Sequence, residues 1–96
     1  MKNLIAKLNK AFESRVRLGI MAALMVNETL DFNSLKDLLD LTDGNLASHL
    51  KALENLEYIR SNKQFIGRKP NTQYAITENG ANEFKIHLEA LGNLIQ

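Results

Sequence analysis

The sequence predicts a mainly α-helical domain that carries one small β-hairpin. Three observations point to that class. Apolar residues recur at helical spacing in several separate stretches of the chain. Two β-prone runs, residues 58–61 and 72–77, are separated by Gly67 and Pro70, a hairpin signal with a longer loop. A length of 96 residues with 45% hydrophobic content suffices for one compact core, so residues 1–96 are expected to form a single domain.

The elements follow in chain order. Leu4, Ile5, Leu8 and Phe12 share one face of an expected terminal helix over about residues 1–12. A second helix, about residues 14–26, places Val16, Ile20, Ala23 and Leu24 on one side, and Asn27, Glu28 and Thr29 break it. Leu30, Asp31 and Phe32 alternate like a very short strand. A short helix starting at Asn33 or Ser34 carries Leu35, Leu38 and Leu39 and ends near Asp40. Leu41 and Thr42 then make a tight connection to a longer helix that puts Leu46, Leu50 and Leu53 on one face. Thr42 is a good N-cap there, and Asp43 sits at the positive end of the helix dipole. A short helix, a tight turn and a longer helix make a helix-turn-helix. After the hairpin, Thr77 caps a final helix over about residues 78–96, striped by Phe84, Leu88, Leu91 and Ile95. The order of elements is that of a winged helix-turn-helix with an extra helix at each end.

A formal net charge of +1 says little, but its distribution says more. Between Tyr58 and Thr77 the only charged residues are Arg60, Lys63, Arg68 and Lys69, whereas Glu78, Glu83 and Glu89 follow in the next segment. Charge is segregated, so any surface for a polyanion is local. The absence of cysteine removes disulfides, thiolate zinc sites and thiol redox sensing, and is compatible with a reducing compartment. Lysines interrupt the apolar residues at the N-terminus, and no apolar run suits a signal peptide or a membrane span. A soluble, cytoplasmic protein without membrane contact is expected.

The helix from Thr42 leaves Gly44, Asn45, Ser48, His49 and Lys51 off its leucine face. Asn45 and Ser48 have the chemistry to meet base edges in a major groove, and Lys51 suits a phosphate. Gly44 would let the helix start approach a DNA backbone closely. His49 adjoins Leu50 and could equally buttress the helix. Arg68 and Lys69, at the basic turn of residues 67–71, suit a phosphate or a narrow minor groove. Lys63 and Arg60 flank the same hairpin. Alternation puts Arg60 and Asn62 on one face and Ser61 and Lys63 on the other, with the register deciding which meets DNA. The terminal residues Leu4, Ile5, Leu8, Phe84, Leu88, Leu91 and Ile95 offer more apolar surface than so small a domain can easily cover. Pairing them across a two-fold axis would set two recognition helices roughly 34 Å apart; the alternative is that the ends fold back on their own core.

At these residues the chain resembles a family. From about Phe12 to Phe84 it is similar to the small winged-helix transcriptional regulators of the MarR and ArsR types. The resemblance is carried by residues 17–24, by residues 41–54, by the wing at residues 67–72 and by residues 74–80. It implies a homodimeric DNA-binding regulator. One departure is Glu57, where the family usually has a glycine past the end of the recognition helix, a position that favours left-handed backbone.

Enzyme chemistry has little support. His49 and His87 are the only histidines. Glu83 and His87, one helical turn apart, could supply two metal ligands, but two do not make a site, and a surface contact is the expected role. No glycine-rich phosphate loop follows a strand, no polar cluster marks an effector pocket, and no cofactor or metal is expected. The thiolate metal sensing of part of the ArsR family cannot apply to a chain without cysteine. The expected function is a transcriptional regulator that binds a pseudo-palindromic duplex DNA site as a homodimer. The alternative is a winged helix used as a protein-interaction or assembly module.

Overall fold

The computed structural model of the protein describes residues 5–96. After a 3-10 turn at Lys10–Phe12 come α1 (Arg15–Val26), β1 (Leu30–Asp31), α2 (Phe32–Leu39) and α3 (Asp43–Asn55). The hairpin β2 (Ile59–Ile66) and β3 (Lys69–Ile76) follows, and α4 (Glu78–Leu94) ends the fold. Side-chain oxygens cap each of α1 to α4: Ser14 accepts from the Arg17 N–H, Asp31 from Ser34, Thr42 from Asn45 and Thr77 from Gly80. Because Asp31 is the cap, α2 begins at Phe32 rather than at Asn33 or Ser34, and Phe32 leaves the strand.

The N-terminal segment departs from the helix expected through residue 12. Residues 5–6 are helical, residues 7–9 leave the helix, and Asn9 caps the 3-10 turn by accepting from the Ala11 N–H. Tertiary bonds outweigh the helical spacing here. The Asn9 backbone N–H donates to His87 Nδ1 at 2.9 Å, and its side-chain amide donates to the Tyr58 hydroxyl at 3.0 Å. Phe12 is thereby delivered to the core, with its ring 5.3 Å from those of Tyr58 and Phe84. Leu4 lies outside the described residues.

Around Phe12 the core gathers Ile20, Met21 and Leu24 of α1, Leu35 of α2 and the three leucines of α3, with Ile59, Tyr74 and Phe84. On α4 the buried stripe is Gly80, Phe84, His87 and Ala90, not the expected Phe84, Leu88, Leu91 and Ile95. Two expectations are corrected by this rotation. Phe84, 3% exposed, belongs to the core and cannot serve a subunit interface. His87, also 3% exposed, is no surface partner of Glu83; it accepts the Asn9 N–H and packs edge-on against Phe12.

The sheet is antiparallel in the order β1-β3-β2, with Leu30 opposite Tyr74 and the β2–β3 ladder running from Ile59↔Ile76 to Ile66↔Lys69. The longer loop expected over residues 67–71 is instead a two-residue turn, Gly67-Arg68, and Lys69, Pro70 and Asn71 belong to β3. Gly67 has φ 65° and Arg68 a negative φ, the pattern of a type II′ turn. Pro70 is tolerated because Phe65↔Pro70 is next to the closing pair, hence a non-hydrogen-bonded pair in which no ladder N–H is needed. β1 reaches only Gln73 and Tyr74, so β3 is an edge at Pro70.

Helix α3 closes with a Schellman motif: the Tyr58 N–H donates to Leu53 O at 3.0 Å and the Glu57 N–H to Glu54 O at 2.9 Å. Glu57 accordingly sits in the left-handed region, at φ 62°. Glu57→Gly is expected to stabilise the protein by about 1 kcal/mol, since only the glutamate has a Cβ to strain there. Urea denaturation checks it, and a lower midpoint would count against the strain.

Candidate nucleic-acid interface

Burial of Leu46, Leu50 and Leu53 turns the opposite side of α3 to solvent. Thr42, Gly44, Asn45, Ser48 and Lys51 are all exposed, together with Asn55 one turn beyond Lys51, which the sequence reading missed. The Thr42 hydroxyl is occupied as the cap, accepting the Asn45 N–H at 3.3 Å. The Ser48 hydroxyl donates to Asn45 O at 3.1 Å, which leaves its lone pairs free to accept. Nothing lies within 4 Å of a Cβ built on Gly44, so the fold itself does not require glycine there.

His49 is half-buried and bridges α3 to α1: its Nδ1 accepts from Arg17 Nε at 3.0 Å. The ring is therefore neutral with its proton on Nε2. This is the buttressing role, and the acceptor nitrogen is no longer open to a base edge. Desolvation, and then the Arg17 charge, hold the imidazole below its ordinary pKa. The neutral form is thus favoured by folding. Its contribution is complete above the unfolded value of about 6.5 and is lost as pH falls through that value towards the lower folded one. Between about pH 7.5 and about pH 5.5, the wild-type protein is expected to lose more stability than His49→Gln, measured by urea midpoints. Equal losses would remove His49 from the account. Arg17 was also missed by the sequence reading, because its partner lies 32 positions away. Among the described residues no carboxylate forms an ion pair with it.

The root of the wing is tied to α3 by the Ser61 hydroxyl, which donates to Glu54 Oε2 at 2.9 Å. The face of β2 that carries Ser61 therefore looks towards α3. By strand alternation Ile59, Lys63 and Phe65 share that face, opposite Ile76, Thr72 and Pro70 of β3. Arg60, Asn62, Gln64 and Ile66 take the reverse face, with Lys69 opposite Ile66, and Arg68 stands in the turn. The register thus divides the expected wing cations: Lys63 on the α3 side, Lys69 on the other. All four are exposed, and the salt bridge found among the described residues joins Lys36 to Asp43 elsewhere, at 2.9 Å.

At the other end of the molecule Ile5, Leu88, Leu91 and Ile95 are exposed, as is Ile86, which the sequence reading did not single out; Leu8 is half-buried. A shallow cavity of about 300 Å³ opens there, lined by Lys7, Ile86, Glu89, Ala90 and Asn93. Among the described residues no group of three histidine or acidic side chains could hold a metal ion, and no helix is long and apolar enough to cross a membrane.

Residues 16–95 match a family model described as a winged helix DNA-binding domain. An uncharacterized protein of Methanocaldococcus jannaschii is 42% identical over 79 residues, 82% of this chain and 86% of that one. The structure of a transcriptional regulator homologue from Pyrococcus horikoshii OT3 superposes with a TM-score of 0.88 at 34% identity, covering 99% of this chain and 95% of the other. Reduced AbfR bound to DNA shares the fold, with a TM-score of 0.76 at 21% identity, covering 96% of this chain and 66% of the AbfR chain.

Proposed function

We propose that this chain, which belongs to the winged helix DNA-binding domain family, is a homodimeric transcriptional regulator that reads a pseudo-palindromic site in duplex DNA. The observation that carries the reading is a charge arrangement. The wing, whose root Ser61 ties to the recognition helix, carries Arg60, Lys63, Arg68 and Lys69 on its two faces and turn without one carboxylate in residues 58–77. Exposed cations of this kind release counterions from DNA when they meet phosphates. In this reading α3 enters the major groove, where Asn45 and Ser48 face base edges and Lys51 a phosphate, while the wing follows the backbone or the minor groove. AbfR, a neighbour in fold, has been solved on DNA, which supports the same mode of use here.

Ile86, Leu88, Leu91 and Ile95, with Ile5 and Leu8, supply the apolar surface for a two-fold partner. Phe84 takes no part in it. A dimer built through these ends would hold two copies of α3 in fixed separation, and the operator would repeat with the same spacing.

The test is selection of bound fragments from the native genome, followed by titration over a salt series. Salt-sensitive binding to a recurrent, two-fold-related sequence is the expected result. Asn45→Ala is expected to relax preference at one or two base pairs, costing about 1–3 kcal/mol, with an unchanged salt slope. Absence of any salt-sensitive binding would overturn the regulator reading and leave a protein-interaction module.

A further inference from the structure

We propose that Phe65 and Pro70 form an apolar wedge at the wing tip that packs against sugars and base edges in the minor groove of duplex DNA. The proposal rests on the DNA-binding reading above. Phe65 is 74% exposed and its neighbour Ile66 is 62% exposed, although Phe12 and Phe84 of the same chain are fully committed to the core. Along β2 only Ile59 is buried. The hairpin runs out past the core and gives Phe65 nothing of the fold to pack against except the residue across the ladder. That residue is Pro70, directly opposite. Theirs is a non-hydrogen-bonded pair, the kind that brings side chains closest together. They make one small apolar ledge on the side of the hairpin that Ser61 turns towards α3.

The surroundings of that ledge identify its occupant. Lys63 precedes Phe65 on the same face, Arg68 stands in the turn, and Arg60 and Lys69 lie behind. An apolar protein surface closing over Phe65 would have to desolvate Lys63, and Arg68 at the turn, without a counter-charge. Duplex DNA offers both requirements at once: phosphates for the cations, and deoxyribose and base edges for the apolar ledge. Apolar side chains at the edge of a minor groove wedge between base steps in this way. The turn is as narrow as a hairpin turn can be, because Gly67 allows two residues to close it.

The experiment compares unaltered protein, Phe65→Ser and Phe65→Leu by fluorescence anisotropy on a labelled duplex selected from the native genome, over a salt series. Phe65→Ser is expected to bind about 10-fold more weakly at every salt concentration, because it removes apolar packing and leaves counterion release intact. Phe65→Leu should keep most of the affinity. All three should melt alike, since Phe65 is exposed. Equal affinity of Phe65→Ser and unaltered protein overturns the wedge, as does a weakening that comes with a flatter salt slope. A changed sedimentation coefficient for free Phe65→Ser, with DNA affinity intact, would also overturn it by giving the ledge to a second copy of the chain. Failure of the unaltered protein to bind any duplex is a separate result, which overturns the regulator reading and the wedge with it.

Discussion

Gly80→Ala is expected to destabilise the protein by about 3–5 kcal/mol, against a total of about 5–15 kcal/mol for a domain of this kind. A Cβ built on Gly80 falls 2.0 Å from Tyr58 O, 2.7 Å from Tyr58 C and 2.9 Å from Tyr58 Cα. These are backbone atoms, not the mobile end of a side chain. Tyr58 itself is pinned from several directions. Its N–H closes α3 at Leu53 O, its carbonyl accepts the Thr77 N–H at 3.0 Å, its ring lies against Phe12, and its hydroxyl accepts from Asn9. Relief therefore requires the start of α4 to move off the end of α3. Phe84 and His87 would travel with it out of the core.

The sign of the change makes the test sharp. Glycine inside a helix usually costs about 1 kcal/mol relative to alanine, so propensity alone makes Gly→Ala stabilising. Gly44→Ala, with open space around its Cβ, serves as the control in which propensity acts unopposed. For a chain of this length the destabilisation at Gly80 corresponds to a fall in Tm of about 12 °C or more. A Gly80→Ala protein that melts within about 2 °C of wild type would show that α4 sits more loosely on Tyr58 than these distances state.

The same region marks where sequence reasoning stops. Thr42 and Thr77 were legible as caps because a cap is a local event, settled by a side chain and an N–H three residues ahead. The leucine face of α3 was legible because its spacing is unambiguous. The buried face of α4 was not. Residues 84, 88, 91 and 95 and residues 80, 84, 87 and 90 both recur at helical spacing, and the core chose the second set. What decides is across the fold: the Asn9 N–H, 78 positions away, gives His87 a partner that makes its burial tolerable. Arg17 and His49 are hidden for the same reason. At the wing, Pro70 read as loop because proline cannot donate to a ladder. The register puts it where no donation is required. Faces and caps are written along the chain, whereas pairings between distant residues are written only in the packing.

Neutralising the wing, by Arg68→Gln with Lys69→Gln, is expected to have the largest effect on DNA affinity. Each phosphate that a cation neutralises contributes about 0.9 to the slope of log K against log salt, so removing both cations flattens the slope by about 1.8 per wing. Electrostatic gains vanish near 1 M salt. At about 0.1 M the double variant should therefore bind roughly 60-fold more weakly if one wing engages, and by the square of that factor if both wings of a dimer do. The slope also tells how many wings engage: a change near 1.8 describes one, and a change near 3.6 describes two. Stability should be unaffected, because both side chains are exposed and neither makes an ion pair among the described residues. Register adds a finer expectation. Lys69 lies on the face away from α3 while Arg68 stands in the turn, so Arg68→Gln alone should carry the larger share if the turn enters a groove. Equal shares would mean that the wing lies along the backbone instead. An unchanged slope in the double variant would remove the wing from the interface and leave α3 to bind alone.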